Sequence, residues 1–167
     1  MFNFKIVFFY FLAIKIIFIK FLKQIYFTTR IYNKSLKGKN PKQFHFFPNP
    51  LLLSSFVSNN NFSFKITKAN ADNFWKKSNS SKEDESLNNF YWLNLINRKN
   101  DGLTIQKIIT LWISNNEKYQ KKVWKNSVTS KRVISWILNA DVILNNTNVY
   151  FKERFFQSIL IQVNHLK

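Results

Sequence analysis

The side chains best suited to chemistry lie between Trp124 and His165. Lys131 and Arg132 form a basic pair that could hold a carboxylate or sulfate, the arginine through two parallel N–H donors of its planar fork. Trp124 and Trp136 could offer ring faces to a sugar. Tyr91, Tyr119 and Tyr150 carry phenols, but nothing beside them in sequence would depress a phenol pKa, so packing is the better assignment. Each of the other groups also has a plain alternative. A Lys-Arg pair near a helix start can be a solvated charge, and tryptophans at helical spacing are more often core. Metal chemistry has little to work with: cysteine is absent, and His45 and His165 are the only histidines. No catalytic group, cofactor-binding residue or metal ligand is assigned.

These residues sit in a half of the chain that reads as four consecutive helices over 81–167. Ser80 and Glu83 have the spacing of a capping box, predicting a first helix from about Ser81 to Asn97 that carries Leu87, Phe90, Trp92, Leu93 and Ile96. Asn100-Asp101-Gly102 marks the turn after it. A second helix, Thr104 to Asn115, places Ile105, Ile108, Ile109, Trp112 and Ile113 on one stripe. Glu117 to Ser127 is an irregular basic connection. The third helix, about Thr129 to Leu144, puts Val133, Ile137, Ala140 and Leu144 on its apolar line, with Trp136 and Ile143 beside it. On that register Lys131, Ser135 and Asn139 face away, while Asp141 falls near the apolar side and needs a partner. Asn148 is the predicted N-cap of a fourth helix with Phe155, Ile159, Val163 and Leu166 in line.

Ahead of this half, residues 1–36 form a hydrophobic to amphipathic helix. Ile6 to Ile14 is unbroken apolar sequence, Lys15 interrupts it, and Ile16 to Ile19 resumes it. That is short for a membrane span. Lys15, Lys20 and Lys23 could snorkel while Phe and Ile side chains enter the lipid boundary, so Phe2 to Ile19 is read as a membrane-surface anchor, ahead of a cleaved leader or a buried helix. Residues 37–80 are Pro- and Asn-rich and extended. Within them Phe62 to Thr67 alternates as a strand, Leu52 to Val57 is its candidate partner, and His45 is a loop residue.

The formal charge is +18, from 26 Lys plus Arg against 8 Asp plus Glu. Such a balance favours polyanionic partners: nucleic acid, anionic lipid or an acidic polysaccharide. The excess is uneven, since Met1 to Lys77 has 13 basic and 1 acidic residue, whereas Ser78 to Lys167 has 13 and 7. Nucleic acid is disfavoured, because no RNP, KH or zinc-knuckle pattern is present.

The landmarks Phe90-Tyr91-Trp92-Leu93, Leu111-Trp112-Ile113, Val123-Trp124, Ser130 to Trp136, and Asn148 to His165-Leu166 resemble the N-terminal part of the bacterial heparinase II/III family. Lys131 and Val133 depart from that family's R-R-L landmark. The resemblance implies a mainly α fold, with antiparallel helical hairpins forming part of an (α/α) toroid and a short β-hairpin or strand before it. It also implies kinship with polysaccharide lyases that cleave uronic-acid polymers by β-elimination, with the catalytic positions mostly beyond Lys167. On that reading the chain is a partial protein, inactive alone, that needs the rest of the toroid and a β-sandwich or another subunit. Trp124, Lys131, Arg132, Trp136 and His165 are its candidate substrate-binding residues, and an acidic polysaccharide is the candidate partner. Asn164-His165 resembles a lyase Asn-His pair but falls where relatives keep a structural His-Leu. The alternative is a membrane-associated helical scaffold without enzymatic activity. Both favour a membrane-associated or periplasmic location over a cytoplasmic one.

Overall fold

The computed structural model describes residues 4–39, 41, 74–76, 81–95 and 102–167. The proposed strand pair, His45, most of the 37–80 segment and the Ser80–Glu83 capping box lie outside the described residues or their side chains. Among the described residues the secondary structure is helical, with no strand. The chain divides into two compact units, Met1–Ser35 and Leu36–Lys167.

The first unit contains α1 (Phe4–Thr28) and α2 (Arg30–Ser35). The sequence reading runs one helix through this region, but it breaks at Thr29. There the threonine hydroxyl accepts the backbone N–H of Tyr32 at 3.1 Å, the work of an N-cap, and so starts a new helix. Tyr32 packs against Tyr26 and Phe27, with ring centroids 5.3 and 4.6 Å apart. By contrast, α1 leaves most of its apolar side chains in water. Phe11 is 66% exposed and Ile14 64%.

The second unit contains α3 (Ser81–Asn88), α4 (Gly102–Asn115), α5 (Asn126–Leu138), α6 (Ala140–Ile143) and α7 (Val149–Leu166), with single 3-10 turns at Phe74–Lys76 and Tyr91–Leu95. The α4 stripe is buried as its spacing requires: Ile105, Ile108, Ile109, Trp112 and Ile113 all leave solvent. Asn148 caps α7, its Oδ1 accepting the Phe151 N–H at 2.8 Å. The helices α5 and α7 run in opposite directions, since Arg132 meets Gln162 while Trp136 stacks on Phe155.

Two helices of the second unit differ from the sequence reading. The first stops at Asn88, because Phe90 takes a left-handed backbone (φ 60°), a costly state for a bulky side chain. The ring position explains why it persists. Phe90 is fully buried between Trp75, Trp92, Trp112 and Trp136, with centroids 5.2–5.9 Å away. A continuous helix would carry that ring elsewhere.

The second difference is rotational. On α5 the buried residues are Val128, Thr129, Arg132, Val133, Ser135 and Trp136, followed by Asn139 and Ala140, while Ile137 is only half-buried and Ile134 is exposed. At 100° per residue the buried arc is therefore centred about 100° from the Val133–Ile137 line. Ser135 and Asn139, expected to face away, are inside; Asp141, expected near the core, is exposed. Asn139 also ends α5. Its side-chain amide donates to Ser135 O and to Asn94 Oδ1, both at 2.9 Å, diverting the chain into the short α6.

Candidate functional site

Arg132 follows from this rotation. It projects from the middle of α5 into the core and has no measurable exposure. Its Nε donates to Gln162 Oε1 at 2.5 Å, one terminal nitrogen donates to Asn88 O at 3.0 Å and Val123 O at 3.1 Å, and the other donates to Thr129 Oγ1 at 3.2 Å. The guanidinium lies over the Trp112 ring, 4.2 Å from its centroid. Every one of these acceptors is neutral. Desolvation therefore pushes the Arg132 pKa down to about 9, which leaves it a cation at neutral pH.

His165, near the end of α7, makes the matching contact one residue along the same loop. Its Nε2 lies 2.8 Å from Trp124 O, and because a carbonyl oxygen can only accept, this nitrogen carries a proton. The Trp124 and Tyr119 rings lie against the imidazole at 5.3 and 5.6 Å. Arg132 and His165 thus clamp successive carbonyls, those of Val123 and Trp124. The clamp fixes the 116–125 connection onto the α5–α7 pair.

The five sequence-derived candidates have different fates. Trp124, Arg132 and His165 come together in this clamp, all buried. Trp136 lies deeper, with Phe90, Trp112 and Phe155 around it at 5.2–5.3 Å. Neither tryptophan turns a free face outward, as a sugar platform requires. Lys131 is exposed on the opposite side of α5, its Nζ 5.6 Å over the Tyr91 ring. The two half-buried phenols, Tyr91 and Tyr119, are raised above the ordinary value by desolvation, the wrong direction for a neutral-pH base.

Gln162 and Thr129 complete the clamp and were missed. Gln162 lies three residues after Ile159 and seven after Phe155, in the middle of the buried face of α7. A lone amide at such a position is a legible sign of a buried polar partner. An open groove of about 470 Å³ exists elsewhere, between α4 and the start of α7, beside Gln106, Lys107, Tyr150 and Arg154. None of the five candidates lines it. Its Arg154 is held by Glu117 at 3.1 Å and by Ser114 at 3.2 Å. Among the described residues no cluster of His, Asp and Glu could hold a metal ion. No protein-family model, curated protein or solved structure matches the chain.

Proposed function

We propose that this protein is a membrane-surface module, anchored by α1 and presenting the helical second unit as a scaffold. The observation that carries this reading is the exposed surface of α1. Val7, Phe11, Ile14, Phe18, Phe21 and Ile25 recur at alternating spacings of four and three, and all are exposed. At 100° per residue Lys5, Lys15, Lys20 and Lys23 fall within an arc of about 140° on the other side. Between Phe4 and Ser35 there are six basic residues and no acidic one. No described helix is long and apolar enough to cross a membrane, and Lys15 and Lys20 show why: they divide the apolar run. A helix lying in the interface solves this conflict, with the apolar line in the acyl boundary and the lysines among headgroups.

The magnitudes bear on the kind of lipid. Burying the exposed half of six such side chains yields on the order of 5–9 kcal/mol. Association costs about 4–15 kcal/mol. The apolar term alone is marginal, so the charge on anionic headgroups decides whether the anchor holds. In a vesicle flotation assay, the full chain should float with lipid, and Phe11→Asp with Phe18→Asp should leave it at the bottom of the gradient. Equal flotation of both would reject α1 as the anchor.

A second reading keeps the partial (α/α) toroid. It is supported by the convergence of the landmarks that carry the resemblance: Trp92, Trp112, Trp124, Arg132, Trp136 and His165 are all buried in the second unit. In this reading they are packing residues of a lyase-like scaffold, and the chain has no elimination activity alone. The expected result is no rise in ultraviolet absorbance from unsaturated uronide on heparin, heparan sulfate or alginate. A rise abolished by His165→Ala would contradict it.

A further inference from the structure

We infer that the second unit has its own docking face for anionic lipid headgroups, the lysine loop 116–125; this rests on the reading of α1 as a lipid-surface anchor. The loop carries Lys118, Lys121, Lys122 and Lys125 against a single acid, Glu117. That acid is paired with Arg154, and Lys125 is paired with Glu85. Lys118, Lys121 and Lys122 are exposed.

The backbone beneath them is already fixed. Gln120 Nε2 donates to Asn115 O at 2.8 Å, and the Trp124 N–H donates to Gln120 O at 2.9 Å. The clamp from Arg132 and His165 holds the next two carbonyls. A loop ordered in this way presents its charges without first losing backbone entropy.

Position within the second unit supplies the link to lipid. Asn164, the neighbour of His165, donates from Nδ2 to Leu36 O at 2.9 Å, and a Cβ on Gly38 would lie 3.3 Å from Leu160 Cδ2. The first residues of the second unit are therefore held at the same end of α7 as the loop. Leu36 is joined by a peptide bond to Ser35, so an anchored first unit tethers the second at this end, raising the effective concentration of lipid headgroups near the loop. Lys37 and Lys39 are exposed there too. The partial negative charge at the end of α7 opposes an anion, but it amounts to about half a charge. Five exposed lysines outweigh it.

Nucleic acid fits less well. Single strands need exposed aromatic platforms, and here Trp124 is buried and Tyr119 half-buried against His165. A nucleic-acid partner would also leave the apolar surface of α1 without a role.

The test uses the full chain on phosphatidylcholine vesicles with and without phosphatidylserine. Lys118→Gln, Lys121→Gln and Lys122→Gln together should leave neutral-vesicle binding unchanged and weaken binding to the anionic vesicles about 100-fold, roughly fivefold per lysine. The three side chains are exposed, so far-ultraviolet circular dichroism should be unaltered. Loss of anionic-vesicle binding on Phe11→Asp with Phe18→Asp reports on α1 separately, because the loop is judged by the ratio of triple variant to parent on anionic vesicles. A ratio near one overturns the inference. So does a lysine-loop dependence found on duplex DNA and missing on vesicles.

Discussion

Arg132→Ala is expected to cost the helical unit about 3–5 kcal/mol, read as a shift of the denaturant midpoint at constant slope. The cost is set by what the substitution leaves behind. Four polar atoms lose their donor: Gln162 Oε1, Asn88 O, Val123 O and Thr129 Oγ1. Each buried acceptor left unpaired costs roughly 1–3 kcal/mol, and the Trp112 face loses its cation as well. Arg132→Lys keeps the charge and loses the fork, so it should recover little. Pairing Arg132→Met with Gln162→Leu should also recover little, since the Asn88 and Val123 carbonyls belong to the backbone and cannot be replaced. Restoration of parent stability by that double variant would show that the two carbonyls find other donors.

The same residue has a pH signature. Its pKa is about 9 in the folded chain and ordinary in the unfolded one, so both states hold the proton at neutral pH. Above about pH 9 the folded state releases it first. The unfolded state then binds more protons, and stability from this group rises with pH. The stability gap between the parent and Arg132→Met should therefore widen from neutral pH to about pH 10. Backgrounds from Lys and Tyr titration are common to both proteins and cancel. An unchanged gap would mean that the neutral acceptors hold Arg132 fully protonated.

Trp136→Ala is the second large effect, also about 3–5 kcal/mol. Its ring is fully buried, edge-on to Phe90 and Trp112 and stacked on Phe155 at 5.2 Å. A cavity there cannot close easily, because Phe90 is still held in its left-handed backbone by the three remaining aromatic neighbours, Trp75, Trp92 and Trp112. The near-ultraviolet circular dichroism should lose intensity along with stability, as the coupled rings lose their fixed orientation. Lys131→Ala, about one and a half turns away and exposed, should stay within about 0.5 kcal/mol of the parent. A comparable loss at both positions would mean that α5 is not rotated as described.

Much of the fold was legible where periodicity and capping act locally. The five-residue stripe of α4 and the Asn148 cap of α7 needed only their own segments. What could not be read depends on contacts distant in sequence. The α5 register looks apolar along Val133 and Ile137, yet the partners Gln162, Asn88 and Val123 reward turning Arg132 inward instead, and Asn94 does the same for Asn139. The break at Phe90 is likewise set by four rings, three of them on other elements. At the candidate site, the assignment of Trp136 to the core was available from helical spacing, whereas Trp124 sits in a connection with no period to read. The burial of Arg132 was not, because a basic pair near a helix start gives no sign of which member points in.

For α1 the sequence and the structure address the same feature from two sides: apolar residues all along a helix, and those residues standing in water. The most direct measurement is the depth of α1 in the bilayer. The chain has no cysteine, so Ile14→Cys and Lys23→Cys each give a unique site for a spin label in the full-length protein. On vesicles containing phosphatidylserine, the label at position 14 should be accessible to oxygen and shielded from a water-soluble relaxant, and the label at position 23 should show the reverse. Labels at both positions that remain equally open to the water-soluble relaxant, with and without vesicles, would contradict the membrane-surface function.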